Sequence, residues 1–382
     1  MNTSVMLFDT LVNRNQTEEE IKNVLIDFSK YDVKEQFPFE LYPDRTVLGK
    51  RYSSTELKGD KTRAYFVYKA LTIEDRKGEI SDKQASSFDP DNSGGKCDFM
   101  KKVYSDLWGF EYNYGYFGKI DAFPNVNTDN KNKTILWGAD CLNSMQTSIN
   151  ALKSYSTYEC LKQMAEKEKT FIDEMKKSEV GELFQFAHAP GNFGLVPAYF
   201  NGYRGRSTII KDYLPQSLYF LKINDFPVAE NLSNYTRNSK YMNGKAENYF
   251  EDYSQRMFKK YINTMFLWDL VCYDESNIYV VDYEGNAVNG LQDKNIDIKK
   301  WAKGAQYFIR RRGIFMAALL WARYFSKEEY EKIVERLYSD EDIRENDEYG
   351  YKAVFRMIEK TIKCNFLKKV FTCAKKLIEE LN

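Results

Sequence analysis

Apolar positions recur at helical spacing through much of the chain. Thr17-Glu18-Glu19-Glu20 has the spacing of a capping box, and Ile21, Val24, Leu25 and Phe28 follow at intervals of three and four, which predicts a first helix near 17–31. The pattern then changes. Residues 36–52 carry Pro38, Pro43 and Gly49, and 63–73 (RAYFVYKALTI) is aromatic and β-branched, so strands are expected there as a small β element near the N-terminus. SSFDPDNSGG at 86–95 is a turn-rich loop that leads into the helical run FMKKVYSDLW. Residues 141–178 lack glycine and proline and read as one or two polar helices ending by Gly181.

The next segment, 182–206 (ELFQFAHAPGNFGLVPAYFNGYRGR), holds four glycines, two prolines and the sole histidine, and cannot form a regular helix. Helical spacing returns over 246–273, and 278–290 (IYVVDYEGNAVNG) reads as a strand and turn. A long helix is expected over 301–325. Ser326-Lys327-Glu328-Glu329 is a second capping box, with Phe325 and Tyr330 placed to staple it. Phe355, Ile358, Ile362, Phe366, Val370, Cys373 and Leu377 share one helical face with lysines opposite, the mark of a docked C-terminal helix. The fold class this predicts is α+β and helix-dominated, a small N-terminal β element followed by a larger helical body with an irregular central segment. Three parts are expected: an N-terminal α/β part at 1–85, a core domain with the central motif at 86–325, and C-terminal helices packed on the core at 326–382.

Composition narrows the function classes. The 382 residues include 56 Lys+Arg and 56 Asp+Glu, so no chain-wide field steers the molecule to nucleic acid or anionic lipid, and a basic site must be local. The six cysteines form no CxxC pair and read as reduced thiols without a zinc cluster. The N-terminal sequence has no basic-then-apolar leader, and no stretch approaches the roughly 18 apolar residues of a membrane span, so a cytoplasmic protein with no membrane partner is expected. The 29 Tyr, 26 Phe and 5 Trp are read first as core filling.

His188, flanked by Pro190, Gly191 and Asn192, has the chemistry of a general base or metal ligand. Asn192, Asn201, Arg204 and Arg206 supply donors nearby, and the glycines allow close backbone approach to a ligand, although the spacing of a phosphate loop is missing. Asp140 follows Gly138-Ala139 and precedes Asn143-Ser144, a turn-then-helix grammar that would present a carboxylate to a metal or cap a helix. Arg310-Arg311-Arg312 lies in an otherwise apolar helix, where three consecutive cations cannot all face the core, so at least one is placed for recognition or pairing. The run SDEDIRENDE at 339–348 reads as a solvated loop.

SFDPDNSGGKCDFMKKVYSDLW, GADCLNS, HAPGNFGLVPAYFNGYRG, KDY and FIRRRG follow one another in the order of an uncharacterised family of bacterial proteins, which the chain resembles over 86–325. That family has an aspartate-containing turn, a segment [H/R]-x-x-G-[N/G]-x-x-x-x-P followed by N-x-x-R-G, and a late arginine-rich helix. The resemblance brings no activity with it. Because histidine is not obligatory in its pattern, it implies greater weight for Asn192, Asn201, Arg204 and Gly205. A fainter similarity is to His-Asn-His nuclease domains of modification-dependent restriction enzymes, with GNFGLV, Asn201, Trp301, Ile309, Arg310 and Trp321 as counterparts. Those nucleases use an upstream general-base histidine, and this chain has no histidine before 188.

Two functions are therefore expected. The first is a metal-dependent nuclease or phosphodiesterase acting in defence against foreign nucleic acid, with His188, Asp140 and Asn192 catalytic. Asp140 and His188 would hold magnesium or manganese, and Asn201, Arg204 and Arg310 would bind phosphate. The alternative is a non-catalytic sensor or structural protein that binds a nucleotide or a protein partner, with the central segment bracing the core. An open pocket with converging carboxylates would favour the first, and a segment filled by Phe193, Tyr199 and Phe200 the second.

Overall fold

The structure, a computed structural model, describes residues 3–11, 16–31, 33, 98–109, 111–113, 117–119, 136–143, 179, 182–183, 186, 189–197, 214–223, 251–274, 277–290, 298–339, 343–345 and 348–381. The strands expected over 36–52 and 63–73, the loop at 86–95 and, from 144 on, the helices expected over 141–178 lie outside these residues; of that last stretch Cys141 is described and ends a strand rather than starting a helix. Among the described residues the chain is helix-dominated. The expected N-terminal β element is not supported: described strands begin at Glu111 and are central and C-terminal, whereas the described N-terminal stretches follow the three-to-four period of helices.

Helix α1 (Thr3–Thr10) is followed by α2 (Glu18–Lys30). The capping box of α2 forms in both directions: the Glu20 amide donates to Thr17 Oγ1 at 3.2 Å, and the Thr17 amide donates to the Glu20 carboxylate at 2.7 Å. Ile21, Val24, Leu25 and Phe28 then fall on the buried face. Helix α3 (Asp98–Trp108) leads to the short hairpin β1 (Glu111–Asn113) and β2 (Phe117–Lys119). Strand β3 (Leu136–Cys141) pairs antiparallel with β4 (Phe193–Pro197), and helix α4 (Leu214–Ile223) follows.

Helix α5 (Glu251–Met265) ends earlier than its apolar period suggests. Phe266 adopts a left-handed backbone (φ 57°), which costs a bulky residue about 1–3 kcal/mol and is held by its fully buried ring against Trp108, Trp268 and Phe315. The reversal feeds a 3-10 turn (Trp268–Leu270) and the hairpin of β5 (Val271–Asp274) with β6 (Asn277–Val280). Beyond β6, Asp282 Oδ1 accepts from the amides of Glu284 and Asn286, and Gly285 (φ 83°) completes the turn expected at 278–290.

Helix α6 (Ile298–Phe325) spans about 42 Å at 1.5 Å per residue and is the axis of the molecule. Every residue from Arg312 to Ala322 is buried, as befits a helix that is apolar on all sides. It packs against α2, α3, helix α7 (Lys327–Leu337) and, beyond the hairpin β7 (Arg344–Glu345) and β8 (Glu348–Tyr349) and helix α8 (Tyr351–Thr361), the last helix α9 (Asn365–Glu380).

The second capping box forms in one direction only. Ser326 Oγ accepts from the Glu329 amide at 3.4 Å, but the Glu329 carboxylate turns to the Lys363 amide, at 3.0 and 3.3 Å, and so ties α7 to the entry of α9. The apolar C-terminal face is divided between α8 and α9 at Ile362, and both halves dock on the core as expected. No helix among the described residues is long and apolar enough to cross a membrane.

Candidate functional site

Over residues 189–197 the central segment is a tight turn followed by a strand and not an α-helix, as its prolines and glycines require. Pro190–Asn192 forms a 3-10 turn, and the chain then enters β4, where Gly194 lies opposite Asp140 and Phe193 opposite Cys141. The turn crosses α6 at backbone contact. A Cβ on Gly191 would sit 1.9 Å from the Ile309 carbonyl oxygen and 2.7 Å from the Gly313 nitrogen, and one on Gly313 would lie 3.1 Å from the Ser29 Cα of α2. Two glycines thus let three segments meet without side chains between them.

Asn192 is buried and works as a clasp between this turn and β3. Its Oδ1 accepts from the Asn143 amide at 2.9 Å and from Asn143 Nδ2 at 3.2 Å, while its Nδ2 donates to the Asn143 carbonyl at 3.1 Å. The Leu142 amide donates to the Asn192 carbonyl at 2.6 Å. Asn143 is itself held by the Tyr283 hydroxyl, which donates to its Oδ1. Tyr283 comes from the turn after β6, where Gly304 of α6 admits it so closely that a Cβ there would lie 2.3 Å from the Tyr283 Cβ.

Arg312 is the second anchor. It is fully buried; its Nε donates to the Met265 carbonyl at 2.7 Å, and its Nη1 to the carbonyls of Gly191 at 2.8 Å and Phe193 at 2.7 Å. The guanidinium also lies 5.9 Å from the Trp108 ring centroid. Burial lowers its pKa to about 10, still above neutrality, so a cation is held at the junction of α5, α6 and the central turn by carbonyl dipoles. Phe193 itself is completely buried.

The sequence candidates separate accordingly. Asn192 belongs to the brace. Asp140 lies inside β3, followed by strand residue Cys141, so it does not cap a helix: pairing with the central segment holds this stretch extended where the sequence read turn-then-helix. Arg310 places its guanidinium 5.5 Å from the Phe186 centroid, with its Nε buried and without a hydrogen-bond partner among the described residues; burial lowers its pKa. His188, Asn201 and Arg204 lie outside the described residues, as does the side chain of Asp140, so the expected magnesium or manganese site falls there too. Among the described residues no group of three or more His, Cys, Asp or Glu is placed to hold a metal.

The chain matches no known protein family, no curated protein and no solved structure. The resemblances noted from the sequence are carried by their quoted residues alone.

A site that sequence reasoning missed lies on the other side of α6. A cleft of about 500 Å³ opens between β5, the β7–β8 hairpin, the start of α8 and the end of α9. On its floor Arg311 Nε donates to Asp269 Oδ2 at 2.9 Å, and burial nevertheless raises the Asp269 carboxyl above the ordinary range against the lowering influence of that guanidinium. The Tyr351 hydroxyl, on a residue only 8% exposed, has no hydrogen-bond partner among the described residues, and burial raises its pKa well above the usual phenol value.

One wall is formed by the rings of Tyr273 and Tyr349, 4.1 Å apart between centroids, with Arg344 over Tyr273 at 4.5 Å. The segment read as a solvated loop at 339–348 therefore contributes part of a hairpin wall. The available signal was Tyr349-Gly350-Tyr351, an aromatic pair around a glycine immediately before a helical period.

Proposed function

We propose that this protein is a binding protein, with a nucleotide or a protein partner as its ligand, and that its central segment braces the fold rather than cutting phosphodiester bonds. One observation carries this reading: the asparagine of the HAPGN sequence and the last arginine of FIRRR are spent on internal hydrogen bonds. Asn192 holds Asn143, and Arg312 holds three backbone carbonyls. Both side chains are buried, and Asn192 Oδ1 already accepts twice. Arg312 Nε and Nη1 are committed to carbonyls while its Nη2 lies buried without a hydrogen-bond partner among the described residues, which supports bracing over presentation to water or phosphate.

The nuclease reading keeps one supporting observation, the pairing of Asp140 with Gly194, which puts a carboxylate-bearing strand beside the segment that follows His188. Incubating plasmid DNA, single-stranded DNA and total RNA with the protein and magnesium or manganese, beside His188→Ala and Asn192→Ala, decides between them. The binding reading expects no cleavage by the wild type. Cleavage abolished in both variants with folding intact would overturn it.

A further inference from the structure

We infer that the cleft between the β7–β8 hairpin and α8 binds a mononucleotide-sized ligand, with an anionic oxygen group at the N-terminus of α8 and a flat ring against Tyr273 and Tyr349. The inference rests on the binding reading above and names the site and ligand class that reading leaves open. At about 500 Å³ the cleft has the capacity of sites that enclose a small molecule.

The anion end is built by the entry into α8. Gly350, with φ 84°, takes a backbone conformation that side chains resist, and the position its Cβ would occupy is open space. Helix α8 has no side-chain cap and no acidic residue in its first turn. Instead its second residue is the exposed Lys352, a cation at the end of a helix that is already positive, an unfavourable placement unless an anion joins it. The buried Tyr351 hydroxyl, still without an acceptor, belongs to the residue between them.

The carboxylates around the cleft are mostly neutralised. Asp269 is bound to Arg311, and Glu348 meets Arg356 at 2.6 Å, a contact of charges rather than an aligned hydrogen bond. Lys375 pairs with Glu359 at 3.3 Å, and Glu379, which also lines the cleft, has no ion-pair partner among the described residues. A carboxylate in that place suits the hydroxyl donors of a sugar. The half-buried rings of Tyr273 and Tyr349 already cover one another at 4.1 Å, and Arg344 lies 4.5 Å and Lys259 5.9 Å from the Tyr273 centroid, so a flat ring would meet this cationic aromatic wall at its edges.

Isothermal titration of the full chain with the four ribonucleoside monophosphates, adenosine and inorganic phosphate tests the assignment. At least one monophosphate should bind saturably, at least tenfold tighter than either half-ligand. Lys352→Glu, an exposed change expected to leave the circular dichroism spectrum unchanged, should weaken binding at least tenfold, and Tyr273→Ala should weaken it severalfold. Absence of saturable binding by every monophosphate, or an affinity that Lys352→Glu leaves unchanged, would overturn the site. If the protein also cleaves no nucleic acid, that outcome removes the cleft assignment alone; cleavage that depends on His188 would remove the binding reading instead.

Discussion

Arg311 and Arg312 are neighbours in sequence and do opposite work. Roughly 100° of helical rotation separates them on α6, and that angle sends one to each side of the central helix. Arg312 enters the interior, where three carbonyls accept its hydrogen bonds and, among the described residues, no carboxylate does. Arg311 reaches the floor of the cleft, where it meets Asp269. The brace is closed, glycine-lined and internally bonded, whereas the cleft is open, aromatic and edged with charge. A run of identical residues therefore says little about a shared role, because a helix distributes consecutive side chains around its circumference.

The largest effect should come from removing the closed side of this pair. Arg312→Ala leaves three buried carbonyls without their donor and opens a cavity, and is expected to cost about 3–5 kcal/mol in urea unfolding. Gly191→Ala should follow, at about 3 kcal/mol or failure to fold. Its methyl would overlap a backbone carbonyl at 1.9 Å, and no flexible side chain can yield there.

The open side should respond less and with a different pH dependence. Arg311→Met is expected to cost about 1–2 kcal/mol at neutral pH, because Asp269 loses its partner while retaining access to the cleft. Burial raises the folded pKa of Asp269, so the native state binds more protons than the unfolded chain between the ordinary aspartate value and the folded one. The contribution of this group to stability is full below the unfolded value and is lost as pH rises through the folded one. Without Arg311 the folded value rises further, and the thermal midpoint deficit of Arg311→Met should shrink from pH 7 to pH 5.

The smallest effect concerns Cys272, an exposed thiol on the rim of the cleft. Although the residue is exposed, partial desolvation of its sulfur raises its pKa in spite of the Lys222 ammonium, so reaction with a disulfide reagent at neutral pH should run severalfold slower than with a free thiol and accelerate as pH rises.

Much of the scaffold was legible because its signals are local. The Thr17 capping box, the long apolar run of α6 and the turn at Asp282–Asn286 each follow from a few adjacent residues. The glycines and prolines of the central segment likewise announced an irregular path. What could not be read were partners across the fold. Asn192 and Asn143 are 49 positions apart, and Arg312 is 121 from Gly191, so nothing near either showed that its hydrogen bonds would be spent internally. The same holds for α5, whose apolar period continues past Met265 although the packing of Phe266 turns the chain. The cleft was missed because its walls come from β5, α6, the β7–β8 hairpin, α8 and α9, and the acidic composition of 339–348 masked a hairpin.

The clasp at Asn192 offers the most direct test of the brace. Equilibrium urea unfolding of Asn192→Ala should show a loss of about 2 kcal/mol with an unchanged slope, since the buried Asn143 amide is left without its acceptor. A variant as stable as the wild type would contradict the account and return Asn192 to the list of residues free to act on a ligand.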